Sequence, residues 1–290
     1  GVQDFDPAVQ EAVNRVQSVE ETFAVVDACR ANGFRSVNLD LIYGLPLQTL
    51  EGFGRTLDLV LQARPDRLAV YSYAHLPHMF KAQRQIDGDQ LPDPEAKLAL
   101  LQMAIQRLTA AGYVYIGMDH FALPDDDLAR AQERGGLHRN FMGYTTHSDT
   151  DLVGLGVSAI SHIGDTFSQN PRDLPSWQIA LDEGRLPVFR GLQLDEDDCL
   201  RADLIQRLMC QGEIPVNALE RRYLINFPEY FADALDRLHP LMEDGLVRVE
   251  AERIIATSRG RLLLRNIAMC FDRYLNQPDV PATPRFSRAI

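Results

Sequence analysis

Clustered cysteine is what this chain most conspicuously lacks. Its four cysteines are Cys29, Cys199, Cys210 and Cys270, and no two lie within four residues of each other. That spacing offers no metal-ligand motif. Cys29, Cys210 and Cys270 sit in apolar helical runs and read as buried thiols. Unpaired cysteines also argue for a reducing compartment, so a cytoplasmic location is expected. No apolar run approaches the length of a membrane span, and no signal peptide is visible, which argues against a membrane protein. Positive charge is short as well. Lys and Arg number 29 against 41 Asp and Glu, for a net charge of −12 and a pI near 5.0. Nucleic acid and anionic membrane are therefore poor candidates for the main partner. The single tryptophan, Trp177, carries no functional signal, and no internal repeat or low-complexity segment stands out. What remains is ordinary globular composition, 46% hydrophobic and 24% charged over 290 residues. That length buries a sizeable core in one large or two smaller domains.

Strand and helix signals alternate through the first half. A short strand end at Val2-Gln3-Asp4-Phe5 precedes a helix from Pro7, a residue suited to the first turn. Ser18-Val19-Glu20-Glu21 is a capping-box pattern, and Asn32-Gly33 is a stop signal. Strands are expected at Ser36–Tyr43, Arg67–Tyr73 and Gly112–Gly117, with helices from about Thr49 to Ala63 and Pro94 to Ala111. Such alternation indicates parallel βα units, whose chemistry sits at the carboxyl ends of the strands. Gln3, Asp40, Ala74-His75 and Asp119-His120 are all expected at such ends. Near Asn170 the pattern changes, and Pro171, Pro175 and Pro187 suggest a looser connection. Beyond Asp195 a helical module leads to a hairpin, Leu246–Glu250 with Arg253–Thr257, and a further helix from Ser258. Helices followed by a hairpin wing resemble a winged helix. The acidic run Asp195–Asp198 counts against DNA binding and favours a lid or docking role. The expected organisation is a barrel part at 1–169, a linker at 170–194 and a C-terminal module at 195–290.

The densest chemistry lies between Gly117 and Thr146. Gly117-Met118-Asp119-His120-Phe121-Ala122 follows a strand-like run. Leu137-His138-Arg139-Asn140-Phe141-Met142-Gly143-Tyr144-Thr145-Thr146 then brings together an imidazole, a guanidinium, an amide, a phenol and two hydroxyls. The segment has too little continuous apolar surface for a core strand, so an anion-binding loop is expected. A polar surface loop of no function has the same composition.

These segments, with Asp151–Ser161, Gly1–Arg15, Val37–Thr49 and Arg261–Leu275, resemble oxygen-independent coproporphyrinogen III oxidase, a radical S-adenosylmethionine family. The resemblance covers essentially the whole chain. It implies the later strands of a partial β/α (TIM-like) barrel, an α/β fold, with a small winged-helix-like C-terminal domain. It also implies oxidative decarboxylation of coproporphyrinogen III to protoporphyrinogen IX in haem synthesis. Hydrogen abstraction from a propionate, with loss of CO2 and one electron, leaves a vinyl group. The family's CxxxCxxC motif for a 4Fe-4S cluster is absent. With no initiator Met before Gly1, a C-terminal portion of a longer protein is expected, inactive without those ligands.

The resemblance further implies two S-adenosylmethionine molecules. Gln3, Arg15, Asp40 and Ala74 would contact one, and Ile160 the cluster-bound other. A reduced flavodoxin- or ferredoxin-type protein would donate electrons, and a monomer is expected. The physical case varies by residue. Arg15 can grip a carboxylate, but Glu11 four residues earlier is an alternative partner. Asp40 in an apolar strand needs partners. Gln3 equally suits an ordinary strand end, and Ile160 a core position. His75 and His120 suit core or site, while Tyr71, Tyr73, Tyr113 and Tyr115 alternate as packing residues do. A tetracarboxylate substrate on an acidic protein demands local cations. Arg139 is the chief candidate, with His138 and Tyr144 weaker ones and Lys81 and Arg84 further cations. A pairing of Arg139 with Asp125-Asp126-Asp127 is the alternative. The competing function is that of a non-enzymatic haem-binding or haem-trafficking relative.

Overall fold

Acceptor side chains start nearly every long helix, where the first N–H groups lack intrahelical partners. The computed structural model describes residues 1–148 and 150–275, and they divide into two compact units that meet in sequence at Arg134/Gly135. In the first unit α1 (Pro7–Ala12) is capped by Asp6, and α2 (Val19–Ala31) by Ser18, whose reciprocal bond with Glu21 completes a capping box. Strand β1 (Asn38–Tyr43) leads into α3 (Leu50–Ala63), capped by Thr49, and then β2 (Arg67–Ser72). Helix α4 (Pro94–Ala110), capped by Asp93, leads to β3 (Val114–Gly117), β4 (His120–Ala122) and α5 (Asp127–Glu133).

The sheet order is β1-β2-β4-β3. β1 and β2 pair in parallel, and Gln3 adds a parallel bridge to Leu41 at the outer edge. The series of parallel neighbours stops there. β4 pairs antiparallel with both β2 and β3, so β3 runs in the direction of β2 without touching it. The cause is local. Only Met118 and Asp119 separate β3 from β4, and a parallel neighbour needs a far longer crossover. Gly117 at φ 149° and Met118 at φ 50° make the reversal. The opposite face of β1, carrying Leu39, Leu41 and Tyr43, packs with Phe53, Leu57 and Val60 of α3. Those three recur at i, i+4 and i+7, one helical stripe. Leu101, Ala104 and Leu108 of α4 join the same core.

In the second unit β5 (His138–Asn140) and β6 (Gly143–Thr145) form a hairpin. β7 (Ile160–Ile163), β8 (Thr166–Gln169) and β9 (Arg190–Gln193) form an antiparallel sheet. Between β8 and β9 lies α6 (Leu174–Asp182). The stretch 170–194 is therefore structured rather than a loose linker, and the boundary expected at 169 falls inside this unit. The prolines misled because Pro175 sits in the first turn of α6, where the Asp173 side chain caps.

Helix α7 (Glu196–Gln211) then leads through β10 (Glu213–Pro215), α8 (Val216–Tyr223), α9 (Phe227–Tyr230) and α10 (Ala232–Glu243) to β11 (Val247–Val249) and β12 (Arg253–Ala256). A 3-10 turn, Gly260–Leu263, precedes α11 (Leu264–Met269). The last sheet is antiparallel in the order β10-β12-β11. Its core includes Leu204, Ile214, Phe227, Phe231 and Phe271. The acidic run serves architecture. Asp195 and Asp198 form the capping box of α7, and Arg273 bonds Asp195, Asp197 and Asp198. Burial alone would push the Asp197 carboxyl up, but hydrogen bonds from Arg201, Tyr230 and Arg273 outweigh it and hold it below its ordinary value. The expected module end at 276–290 lies outside the described residues.

Candidate active site

Three of the expected cofactor contacts converge on one peptide. The Asp40 carbonyl accepts the N–H of both Val2 and Gln3 at 2.9 Å, which lays Gly1–Gln3 alongside β1. A Cβ on Gly1 would stand 2.9 Å from Asp40 Cβ and 2.9 Å from Gln3 Nε2, so the close approach needs glycine. Arg15 Nη2 donates to the Gly1 carbonyl at 2.7 Å. Among the described residues no Arg15–Glu11 ion pair forms; α1 has ended at Ala12, so Arg15 is off the helix and the i,i+4 spacing does not apply. Gln3 takes a left-handed φ of 67°, costly for a residue with a side chain. Its Oε1 is buried with no partner among the described residues.

Asp40 lies in the middle of β1, not at the strand's carboxyl end as expected. Asn38 Nδ2 donates to its Oδ1 at 2.6 Å. Register places Asp40 beside Ala69, and Ala69 beside His120. Ile42 and Tyr71 continue the row, and Tyr71 meets His120 edge to face at 5.9 Å between ring centroids. Alternation thus sends Leu39, Leu41 and Tyr43 into the helix-side core and Asp40 to the other face. His120 belongs to that face as the first residue of β4 rather than to a strand's carboxyl end.

Ala74 follows β2, and its carbonyl accepts from Gln83 Nε2 at 2.9 Å. Beside it the Tyr73 hydroxyl and His75 Nδ1 are 3.3 Å apart. Lys97, which the sequence reading missed, donates Nζ to the Tyr73 carbonyl at 2.9 Å. Its aliphatic stem lies over Gly44, where a Cβ would come within 2.5 Å of Lys97 Cε. Burial lowers the Lys97 pKa. Its signal was available: a lysine heading the otherwise apolar α4 stripe 97, 101, 104, 108. Lys81 is exposed on a 3-10 turn, and Arg84 Nε donates to the Pro77 carbonyl at 3.0 Å.

In the second unit the His138–Thr145 segment is a hairpin rather than the expected loop. Arg139 faces Tyr144, and His138 faces Thr145, so strand alternation puts the Arg139 and His138 side chains on opposite faces. Arg139 Cζ lies 5.7 Å from the Tyr144 ring centroid. The Arg139 Nε is buried with no partner among the described residues. Tyr144 is buried, and its hydroxyl donates to the Met209 carbonyl at 2.9 Å. It is a platform for Arg139 rather than a free hydroxyl. Of the acidic run offered as a partner for Arg139, Asp126 is bound by Arg67 and Asp125 by Arg130.

Ile160 opens β7. Gly154 approaches its backbone so closely that a Cβ would stand 2.6 Å from the Ile160 carbonyl oxygen. The Gly154 N–H donates to Ser161 Oγ at 2.9 Å, which clamps the turn against β7.

Among the described residues no three His, Cys, Asp or Glu side chains are grouped to hold a metal ion. Cys210 and Cys270 are buried, while Cys29 is only half-buried, because α2 shows most of its surface to solvent. Burial pushes the Cys210 thiol up to about 12. The cysteines present do not fit an iron–sulfur cluster. No described helix is long and apolar enough to cross a membrane.

Known proteins match this chain along its whole length. The HemN C-terminal domain family matches residues 194–263. The oxygen-independent coproporphyrinogen III oxidase of Thermostichus vulcanus is 45% identical over 291 residues, covering 100% of this chain and 89% of that protein. The chain belongs to the oxygen-independent coproporphyrinogen III oxidase family. The family's Pseudomonas aeruginosa member is 54% identical over 290 residues. A solved structure of coproporphyrinogen III oxidase (HemN) from Escherichia coli, described as a radical SAM enzyme, superposes with a TM-score of 0.92 at 52% identity. It covers 95% of this chain and 63% of that one. The chain spans 62% of the Pseudomonas oxidase. The mixed α/β fold is thus the fold of this oxidase family.

Proposed function

We propose that this chain serves the oxygen-independent oxidative decarboxylation of coproporphyrinogen III to protoporphyrinogen IX. Each of the two propionates that are converted gives up a hydrogen atom, an electron and CO2 as it becomes vinyl. The observation that carries the reading is the convergence of Gln3, Arg15 and Asp40 on the Gly1 peptide, with Gln3 Oε1 buried and unpartnered among the described residues. A buried acceptor without a donor calls for a ligand. S-adenosylmethionine suits these residues, and when bound it supplies the hydrogen-abstracting chemistry of radical enzymes. Arg15 would hold its carboxylate, Asp40 its ribose hydroxyls or amino group, and Gln3 Oε1 a donor. Ala74 adds backbone groups and little bulk. Ile160 would line a second S-adenosylmethionine beside a 4Fe-4S cluster. Among the described residues nothing fits that cluster.

The substrate's carboxylates would be held by Arg139. Its buried Nε–H without a described partner supports this role, since a guanidinium matches a carboxylate in two parallel bonds. A reduced flavodoxin- or ferredoxin-type donor, a cytoplasmic location and a monomeric state complete the proposal. So does a barrel reading of the first unit, supported by the parallel β1–β2 pair and its α3 crossover. A winged-helix reading of the C-terminal module is supported by the β10-β12-β11 sheet.

The test is Asp40→Ala and Arg15→Ala in the cluster-loaded enzyme. Protoporphyrinogen formation should fall on the order of 100-fold, because each change removes a charge-assisted contact. The cluster's absorption should persist, since neither residue has iron-ligand chemistry in this arrangement. Retained turnover, or loss of the cluster with the fold intact, would overturn the assignment.

A further inference from the structure

Gln206 of α7 is half-buried and reaches across to β5. Its Nε2 lies 3.0 Å from His138 Nε2 and donates to the Arg139 carbonyl oxygen. Its Oε1 accepts from Cys210 Sγ, one turn along the helix, at 3.4 Å. Valence decides which way this amide points. A carbonyl oxygen only accepts, so the amide atom facing Arg139 must be nitrogen. That nitrogen has two hydrogens and no usable lone pair, so its second hydrogen faces His138 Nε2. The imidazole must then present a lone pair there, and its ring proton sits on Nδ1. On the other side, the Cys210 thiol is held protonated by burial and can donate to Oε1. Every hydrogen-bonding valence that Gln206 offers inward is used in a consistent sense.

We propose that Gln206 is a positioning residue for substrate binding, fixing His138 as the neutral Nδ1–H tautomer and pinning the β5 backbone from which Arg139 projects. The proposal rests on the reading that Arg139 holds a substrate carboxylate. Three features make the positioning specific. The hairpin is tied to α7 through both strands, β5 by Gln206 and β6 by the Tyr144 hydroxyl on the Met209 carbonyl. The Tyr144 ring in turn supports the Arg139 guanidinium. An N–H at His138 Nε2 would oppose the N–H of Gln206, so the contact selects the Nδ1–H tautomer. His138 is thereby held in one tautomer on one face of the strand while Arg139 supplies the cation on the other.

The experiment has two parts. Nitrogen-15 NMR of the histidines of the wild-type chain should show His138 as the Nδ1–H tautomer at neutral pH. Gln206→Leu, similar in size, should give a tautomer mixture, and Gln206→Glu, which replaces the donor by an acceptor, should move the proton to Nε2. In the cluster-loaded enzyme, Gln206→Leu should raise KM for coproporphyrinogen III about tenfold with kcat within about twofold. Arg139→Ala is the companion variant. If it leaves KM unchanged, the substrate reading itself falls. If Arg139→Ala raises KM while Gln206→Leu leaves KM and the His138 spectrum unchanged, the substrate reading stands and the positioning proposal is overturned. Should the Gln206 variants fail to fold, the wild-type spectrum decides: an Nε2–H tautomer or an imidazolium at neutral pH overturns the proposal.

Discussion

Arg139 combines three properties that rarely coincide in a structural arginine. It has an aromatic platform in Tyr144, a backbone pinned by Gln206, and a buried Nε–H without a described acceptor. A buried donor left alone costs about 1–3 kcal/mol, and a carboxylate ligand would recover it. Arg139→Lys should therefore lower kcat/KM on the order of tenfold or more, because an ammonium keeps the charge but not the planar fork. Arg139→Ala should lower it further. Steady-state kinetics beside a thermal melt checks both. Unchanged activity would remove Arg139 from the site, and a large fall in Tm would make it a structural residue. The family resemblance singled out Arg15 and Asp40, and the contrast between an acidic chain and a tetracarboxylate substrate singled out Arg139. Neither was enough to find Gln206, a polar residue on a mostly half-exposed helix whose partners stand 67 and 68 residues away.

Close backbone approaches govern the elements. Gly260 is buried, and a Cβ there would stand 1.8 Å from the Leu246 carbonyl oxygen. That carbonyl is already tied to the Thr257 N–H at 2.9 Å, so it cannot retreat without opening the end of the β11–β12 hairpin. Gly260→Ala should cost more than about 2 kcal/mol. Gly245→Ala is the control. No atom lies within 4 Å of its Cβ position, and only its φ of +67° penalises a side chain, for about 1 kcal/mol. Urea denaturation of both variants checks the order. Equal costs would mean that backbone strain, not space, dominates at these turns. The β11–β12 hairpin of this module was legible in the sequence, because alternation and turn residues act over a few positions. The β5–β6 hairpin was not, since its apolar anchor is a single tyrosine whose partner, Met209, lies 65 residues on.

At the scale of the whole chain, charge argues against nucleic acid even though the C-terminal module pairs helices with a small antiparallel sheet. The net charge is −12, and the basic Arg201 and Arg273 are spent on the acidic N-terminus of α7. An anisotropy titration with duplex DNA at about physiological salt should show only weak, sequence-independent association, with Kd no tighter than roughly 10⁻⁴–10⁻⁶ M. Tight, sequence-specific binding would revive a regulatory role for the module.

Local interactions explain what the sequence determined by itself. Caps at Ser18, Thr49 and Asp93, the apolar stripes of α3 and α4, and the strands at 38–43 and 67–72 each depend on neighbours within about one or two helical turns or on alternation along one strand. The family resemblance was equally legible, because it resides in continuous segments. Tertiary structure alone decided the rest. It inserted β4 between β2 and β3 and folded 170–194 into α6 and β9. It gathered Gln3, Arg15 and Asp40 around Gly1, and it turned the dense polar segment into a hairpin held by α7. Each of these depends on which distant backbone edge or side chain satisfies a group that cannot stay unpaired once buried, and residues so far apart in the chain leave no periodic trace in it.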